Sequence, residues 1–332
     1  MKKAVFIRLD KIGDLVCTLP VDQVSYLKDW DITWVIAKGL SFIPEHAEPR
    51  RKFIELDRNA PRESRRELEN LLRDLKPDVA LSIQAPWWVN YTLWKCRVPT
   101  RLGVLSKWDS FLFFNFGIRQ KRSRAQQHEA DYNRDLLRPL AGAAALTEPA
   151  PVLKMHAPAQ PECLQQHQLE PRKYVVVHPG MAGSALNWPV KHYLELIEKL
   201  KDRSKVVLTG TAGDEPWLKD LKEHFKKDPQ VLCLQNQLTP RQLLYVLEQA
   251  RTVFAPSTGV LHLAASLGTP VYGFYSPIRV QTEKRWGARG PQVHLFSPSG
   301  NCPASHACLG DRCPLHPCME DITPERVLEE FP

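Results

Sequence analysis

The chain begins a run of strand, tight turn and helix at residue 3 and begins it again at residue 173, and this restart limits the possible folds more than any other feature. KAVFIRL (3–9) is an apolar run that reads as a buried strand, followed by the KIGD turn and a helix expected from about Leu15, kept short by Pro20. DITWVIA (31–37), a charged helical run from Arg62 to Leu75 and DVALSIQ (78–84) continue the alternation. The second series starts with KYVVVHPG (173–180), a helix at 189–201, the strand KVVLTG (205–210) and a helix near 214–226. It continues with VLCL (231–234), a helix over 240–249, TVFAP (252–256), a helix over 260–267 and PVYGFY (270–275). Alternating β and α elements predict parallel sheets covered on both faces, the α/β class. Residues 147–172 hold five prolines and little periodicity, a linker composition. Domains are therefore expected over 1–160 and 161–332, each long enough for its own core.

No apolar run approaches the ~20 residues that cross a bilayer. Arg8 and Asp10 break the N-terminal apolar stretch before it could serve as a secretory signal, so a cytoplasmic protein is expected. A net charge of +8 points to an anionic partner: nucleic acid, anionic lipid or a phosphorylated substrate. Zinc-finger spacing, a basic region leading into heptads and an aromatic sheet signature are all lacking, so nucleic acid is not the expected partner. Residues 85–124 interleave Trp87, Trp88, Trp94, Trp108 and four phenylalanines between 111 and 116 with Arg97, Arg101, Lys107, Arg119, Lys121, Arg122 and Arg124. Rings beside cations suit a lipid headgroup layer, which makes a peripheral membrane contact one reading. A core element followed by a solvated basic loop is the other.

Three segments carry candidate chemistry. In the first, a strand ending in Arg8 and turning through Lys11, Ile12, Gly13 and Asp14 sets a carboxylate at the C-terminal edge of a sheet, where open α/β sheets bind ligands. Asp14 can serve there as a general base and Arg8 or Lys11 can pair with phosphate; alternatively Asp14 caps the next helix. The second is HPGMAGSALNWP (178–189), in which Gly180, Met181, Ala182 and Ser184 form a loop whose backbone N–H groups could cradle a diphosphate. The third is PSTGVLHLAASLGTP (256–270), where Ser257, Thr258 and Gly259 precede a helix containing His262, again a phosphate-type terminus or an ordinary cap.

Taken in order, IRLDKIGDLVCTLP, VVVHPGMAGSALNWP, LTGTAGDE, STGVLHLAASLGTPVYGFYSP and the tail ending CMEDITPERV resemble glycosyltransferase family 9, the lipopolysaccharide heptosyltransferases, across nearly the whole chain. HEADYNRDLL (128–137) resembles a segment near the end of that family's first domain. The resemblance implies a GT-B fold of two Rossmann-like domains facing across a cleft, with an acceptor domain followed by a donor domain. It implies inverting, metal-independent transfer from ADP-heptose to a lipid-linked core acceptor at the inner membrane surface, with no cofactor. Asp14 would be the base. Gly180 to Ala182, Glu215 or Asp214 near the ribose, Leu238 beside the base, and Thr258, Gly259 and His262 around the diphosphate would hold the donor. The sequence departs from the family pattern at Leu186, where a Lys is common, and at Ser257, where an Asp is common; Arg8, Lys11 or Lys191 would then compensate. A different nucleotide sugar, an epimerase, or a non-catalytic binding relative are the alternative functions. Cys302, Cys308, Cys313 and Cys318 crowd the tail; a structural lid or packing is the preferred role, with zinc, despite a first gap wider than usual, and redox bonding the alternatives.

Overall fold

The computed structural model describes residues 1–142, 146–181, 183 and 185–332. The chain divides into two compact units, one of residues 1–122 and 127–153, the other of residues 123–126 and 154–332. The change of unit comes at Leu153 and Lys154, not after residue 160. Residues just beyond it already bond within the second unit: the Ala157 N–H donates to Glu248 Oε1 at 2.9 Å.

In the first unit the strands are β1 (Lys3–Arg8), β2 (Asp31–Ala37), β3 (Lys52–Leu56), β4 (Val79–Ser82), β5 (Thr100–Val104) and β6 (Phe116–Ile118). They form one six-stranded sheet in the order β3-β2-β1-β4-β5-β6, and every neighbouring pair is parallel. Ala4 to Ile7 of β1 are fully buried because β1 is central and covered on both faces. Covering helices include α1 (Ile12–Val16), α2 (Pro61–Leu75), α3 (Trp87–Lys95), α4 (Trp108–Phe113) and α5 (Glu129–Asp135). α2 buries Leu68 and Leu72 against Val5, Ile7 and Val35, while its charged residues stay outside.

The second unit repeats the plan with β7 (Tyr174–Val177), β8 (Lys205–Leu208), β9 (Val231–Cys233), β10 (Thr252–Pro256), β11 (Val271–Phe274) and β12 (Val293–Phe296). Their order is β9-β8-β7-β10-β11-β12, again all parallel. α6 (Val190–Lys201), α7 (Glu215–His224), α8 (Pro240–Gln249) and α9 (Gly259–Ser266) connect these strands. The tail closes the core: Met319, Ile322, Val327 and Phe331 pack with Trp188, Phe254 and Tyr272.

Both sheets therefore run 3-2-1-4-5-6, the doubly wound order in which the chain reverses direction between the first and fourth strands. Loops leaving those two strands diverge and open a crevice at the carboxyl edge. The places to look are the ends of β1 and β4 in the first unit and of β7 and β10 in the second.

Candidate active site

In the first unit a cavity of about 410 Å³ lies at that edge. It is lined by Arg8, Asp10, Lys11 and Asp14 after β1, Lys38 after β2, Asp57, Arg58 and Asn59 after β3, and Gln84 after β4. α1 begins at Ile12, earlier than the expected start near Leu15, and its N-cap is Lys11, in extended backbone. Asp14 consequently lies inside the first turn and does not cap the helix. Its carboxylate turns back to accept from Arg8 Nη2, while the Asp14 carbonyl takes the Thr18 hydroxyl at 2.6 Å.

Arg8 is 1% exposed and sits between two carboxylates, Asp14 and Asp10, the latter at 3.0 Å from Nε. Burial alone would push the guanidinium pKa down, but Asp14, Asp10 and Glu129 together more than offset it, so the net shift is upward and Arg8 stays charged. Asp14 moves upward too: burial is the largest cause, Arg8 pulls the other way, and the charges of Asp10 and Glu129 add to the rise. An ionised carboxylate with raised proton affinity, at the rim of a polar cavity, is what a general base requires. Arg8 is engaged by its own carboxylates, so its evident effect is on the charge of Asp14. Its Nη1 is buried without a hydrogen-bond partner.

Behind this pair lies Glu129, the first residue of α5, fully buried. It accepts from Arg122 Nη1 and, at 3.2 Å, from Gln84 Nε2. Asn133 on the same helix accepts from Arg122 at 3.0 Å and donates to the Thr18 hydroxyl at 3.0 Å. The HEADYNRD segment thus ties α5 to Gln84, just after β4, and to Thr18, just after α1. Sequence reading noted that segment but gave Glu129 no role, because its partners lie 45 and 7 positions away. Asp10, Lys38, Arg58 and Gln84 went unread for the same reason: they meet only at the sheet edge.

In the second unit the loop after β7 starts with His178, whose Nδ1 is 3.0 Å from Thr209 Oγ1. Burial pushes the imidazole down to about 4, with Asp214 and Thr209 pulling the other way, so His178 is neutral near pH 7 and offers no cation to a phosphate. Gly180 and Met181 follow, both buried; Ala182 and Ser184 lie outside the described residues. A β-carbon on Gly180 would stand 2.1 Å from Asp214 Cγ, so glycine is required for the loop to approach the Asp214 carboxylate. That carboxylate accepts from the Thr211 N–H at 2.9 Å and the Thr211 hydroxyl at 2.8 Å. Asn187 and Trp188 anchor the loop's far end. Asn187 Nδ2 donates to the Pro179 carbonyl at 2.7 Å, and the Trp188 indole donates to the Ile322 carbonyl at 2.7 Å and stacks on Phe274.

After β10, Ser257, Thr258 and Gly259 are half-buried at the start of α9. Thr258 is the N-cap in extended conformation, and its side chain makes no capping bond, which leaves the hydroxyl available to a ligand. His262 is buried one turn on. Glu215 is drawn aside: both its oxygens accept from Lys222, at 2.8 and 2.6 Å, so Asp214 is the carboxylate next to the glycine loop. Leu238 is half-buried on the segment after β9. Lys191 pairs with Glu320 at 2.7 Å on the surface, and Leu186 packs against the core, so neither supplies the loop with the cation the family pattern places there.

The profile of glycosyltransferase family 9 (heptosyltransferase) matches residues 65–309, most of the chain. The chain belongs to that family. It is a glycosyltransferase, similar to the lipopolysaccharide heptosyltransferases. A Haemophilus influenzae protein named "Putative glycosyltransferase" is 27% identical over 301 residues, which cover 86% of each chain. The Escherichia coli lipopolysaccharide heptosyltransferase 2 is 27% identical over 152 residues, 45% of this chain and 42% of that protein. In fold, the structure of E. coli ADP-heptose lps heptosyltransferase II superposes with a TM-score of 0.76 at 19% identity, covering 99% of this chain and 97% of that one. The GT-B fold class expected from the sequence agrees with this neighbour and with the two parallel sheets.

Zinc does not follow from the tail. Among the described residues no group of three or more His, Cys, Asp or Glu side chains is set to hold a metal ion, Cys302, Cys308, Cys313 and Cys318 included. All four are free thiols, and burial, aided by the other three cysteines, pushes the Cys318 thiol up. No described helix is long and apolar enough to cross a membrane.

Proposed function

We propose that this family 9 enzyme is an inverting, metal-independent heptosyltransferase that moves heptose from ADP-heptose to a lipid A-linked lipopolysaccharide core, working as a peripheral protein on the cytoplasmic face of the inner membrane. The observation that carries the mechanism is Asp14: a carboxylate of raised pKa at the switch point of the first sheet, paired with a buried arginine. Asp14 takes the proton of an acceptor hydroxyl as that oxygen forms a bond to the anomeric carbon. The bond from that carbon to the diphosphate breaks, and ADP leaves with the electron pair. One carboxylate suffices for this single displacement, which inverts the anomeric centre.

Negative charge grows on the diphosphate as it leaves, so donors aimed at it lower the barrier. Backbone N–H groups around Gly180 and Met181, together with Thr258, Gly259 and the start of α9, are the groups proposed to supply them. Asp214, with Glu215 next to it, is assigned to the ribose, Leu238 to the base and His262 to the packing behind the diphosphate. Ser184 in the loop joins this set, whereas Arg8, already paired with Asp10 and Asp14, and Lys11 stay with Asp14 around the first-unit cavity, Gly13 forming the turn between Lys11 and Asp14. A different nucleotide sugar is the second reading, and Leu186 and Ser257 are the observations that favour it. A donor panel separates the two. ADP-heptose should raise the melting temperature and release ADP on adding acceptor, with other nucleotide sugars at least about tenfold weaker, a gap of ~1.4 kcal/mol. Preference for another donor would establish the second reading, and no binding of any would refute both.

A further inference from the structure

The outer faces of α3 and α4 form an aromatic surface that the transfer chemistry does not use. Trp88, Val89 and Leu93 of α3 enter the core, whereas Trp87 and Trp94 point outward. On α4, Trp108 is 65% exposed and Leu112 64%, with Phe111 half exposed beside them. The rings join into one surface: Trp87 to Tyr91 at 6.4 Å, Tyr91 to Trp94 at 6.0 Å, Trp94 to Phe113 at 5.8 Å and Phe113 to Trp108 at 6.4 Å. Contiguous exposed apolar surface of this kind marks an interaction site.

Charge identifies the partner. Asp109 is the one acidic residue between 85 and 124, and it is buried, accepting from Asn90 at 2.7 Å. Arg97, Lys107, Arg119 and Lys121 are exposed, and among the described residues none has a carboxylate partner. The Arg119 guanidinium lies 5.4 Å over the Phe111 ring, so cation and aromatic share one face. Lys95 and Arg65 are taken by Glu69 and do not contribute. A second copy of this chain would oppose like charges, whereas an anionic bilayer offers headgroups to the cations and a wet, apolar layer in which tryptophan is favoured.

We infer that the α3–α4 face is the surface by which this protein seats on anionic phospholipid, the rings entering the headgroup layer and the basic residues binding its phosphates. The inference deepens the lipid-linked acceptor reading, yet its test needs no turnover, so either can fail alone. Sedimentation of the full chain with vesicles of phosphatidylcholine, with and without phosphatidylglycerol, should show binding only where phosphatidylglycerol is present, weakened by salt. K107E/R119E/K121E should weaken it by on the order of a hundredfold, at about fivefold per basic residue. W94S/W108S should weaken it by at least about tenfold, and both variants should keep the wild-type melting temperature. Equal binding to neutral vesicles, no binding to either, unchanged binding in both folded variants, or binding of a polynucleotide in place of vesicles would each overturn it.

Discussion

Asp14→Asn is expected to lower kcat by about 10²- to 10⁴-fold, the usual size of a general-base contribution, while donor affinity stays within about twofold of wild type. Asparagine keeps the shape of the side chain and an oxygen that can still accept from Arg8, so the cavity wall survives. What disappears is the ability to take a proton. Because Asp14 is held on α1 of the first unit and the proposed donor contacts belong to the second, the loss should fall on kcat and leave donor binding intact. Single-turnover release of ADP, with calorimetric titration of the donor on the same sample, reads both quantities. Turnover within about tenfold of wild type would remove Asp14 from the role of base.

The second large effect concerns the glycine loop. Gly180→Ala places a methyl group about where the Asp214 carboxylate already stands, 2.2 Å from its Oδ1. The carboxylate cannot swing away without leaving the Thr211 N–H and hydroxyl unmet. Overpacking of this kind costs roughly 1–3 kcal/mol, and it should displace both backbone segments that are proposed to meet the nucleotide. Donor affinity should fall by about ten- to a hundredfold, as for the loss of one or two hydrogen bonds to a charged group. Asp214→Ala does not relieve the clash, because the Asp214 Cβ that alanine keeps itself lies 2.4 Å from the added methyl, and it strips the Thr211 N–H and hydroxyl of their acceptor, so the double variant should recover neither the melting temperature nor the affinity. If Gly180→Ala lowers the melting temperature alone and leaves donor affinity unchanged, the loop is a structural turn and the donor lies elsewhere.

How far the sequence could be read follows from burial. DITWVIA and TVFAP coincide with β2 and β10, and residues 240–249 with α8, because long apolar or well-capped runs declare their own ends. KFIEL, TRLGV, FGI and VHLF went unread although they are β3, β5, β6 and β12, which extend each sheet outward from its centre. Such strands are short and only partly buried, so they carry too few apolar residues to stand out from loop sequence. The aromatic stretch from residue 87 was legible as composition but not as geometry: one side of α3 is core and the other is surface, and both are written with tryptophan.

Site residues divide in the same way. Asp14, Gly180 and Thr258 could be singled out because each sits just beyond a strand in a recognisable segment, and strand ends are where such sheets bind ligands. The network that sets the charge of Asp14 was not legible. Arg8 reads as a phosphate ligand until the turn brings Asp10 and Asp14 against it, and Glu129 reads as a surface acid until α5 is seen to bury it. Helix capping, the competing use for Asp14, fails because Lys11 occupies the cap position.

The pH dependence of kcat/KM in wild type and in Arg8→Met tests the base most directly. A base must be ionised to act, so the rate should fall as pH drops through the Asp14 pKa, and that limb should lie above the ordinary aspartate value of 3.8. Removing the Arg8 cation removes the one strong influence that lowers this pKa, so the limb should move to still higher pH in the variant. A limb that lies at the same pH in both proteins would contradict the assignment of Asp14 as the group whose ionisation drives transfer.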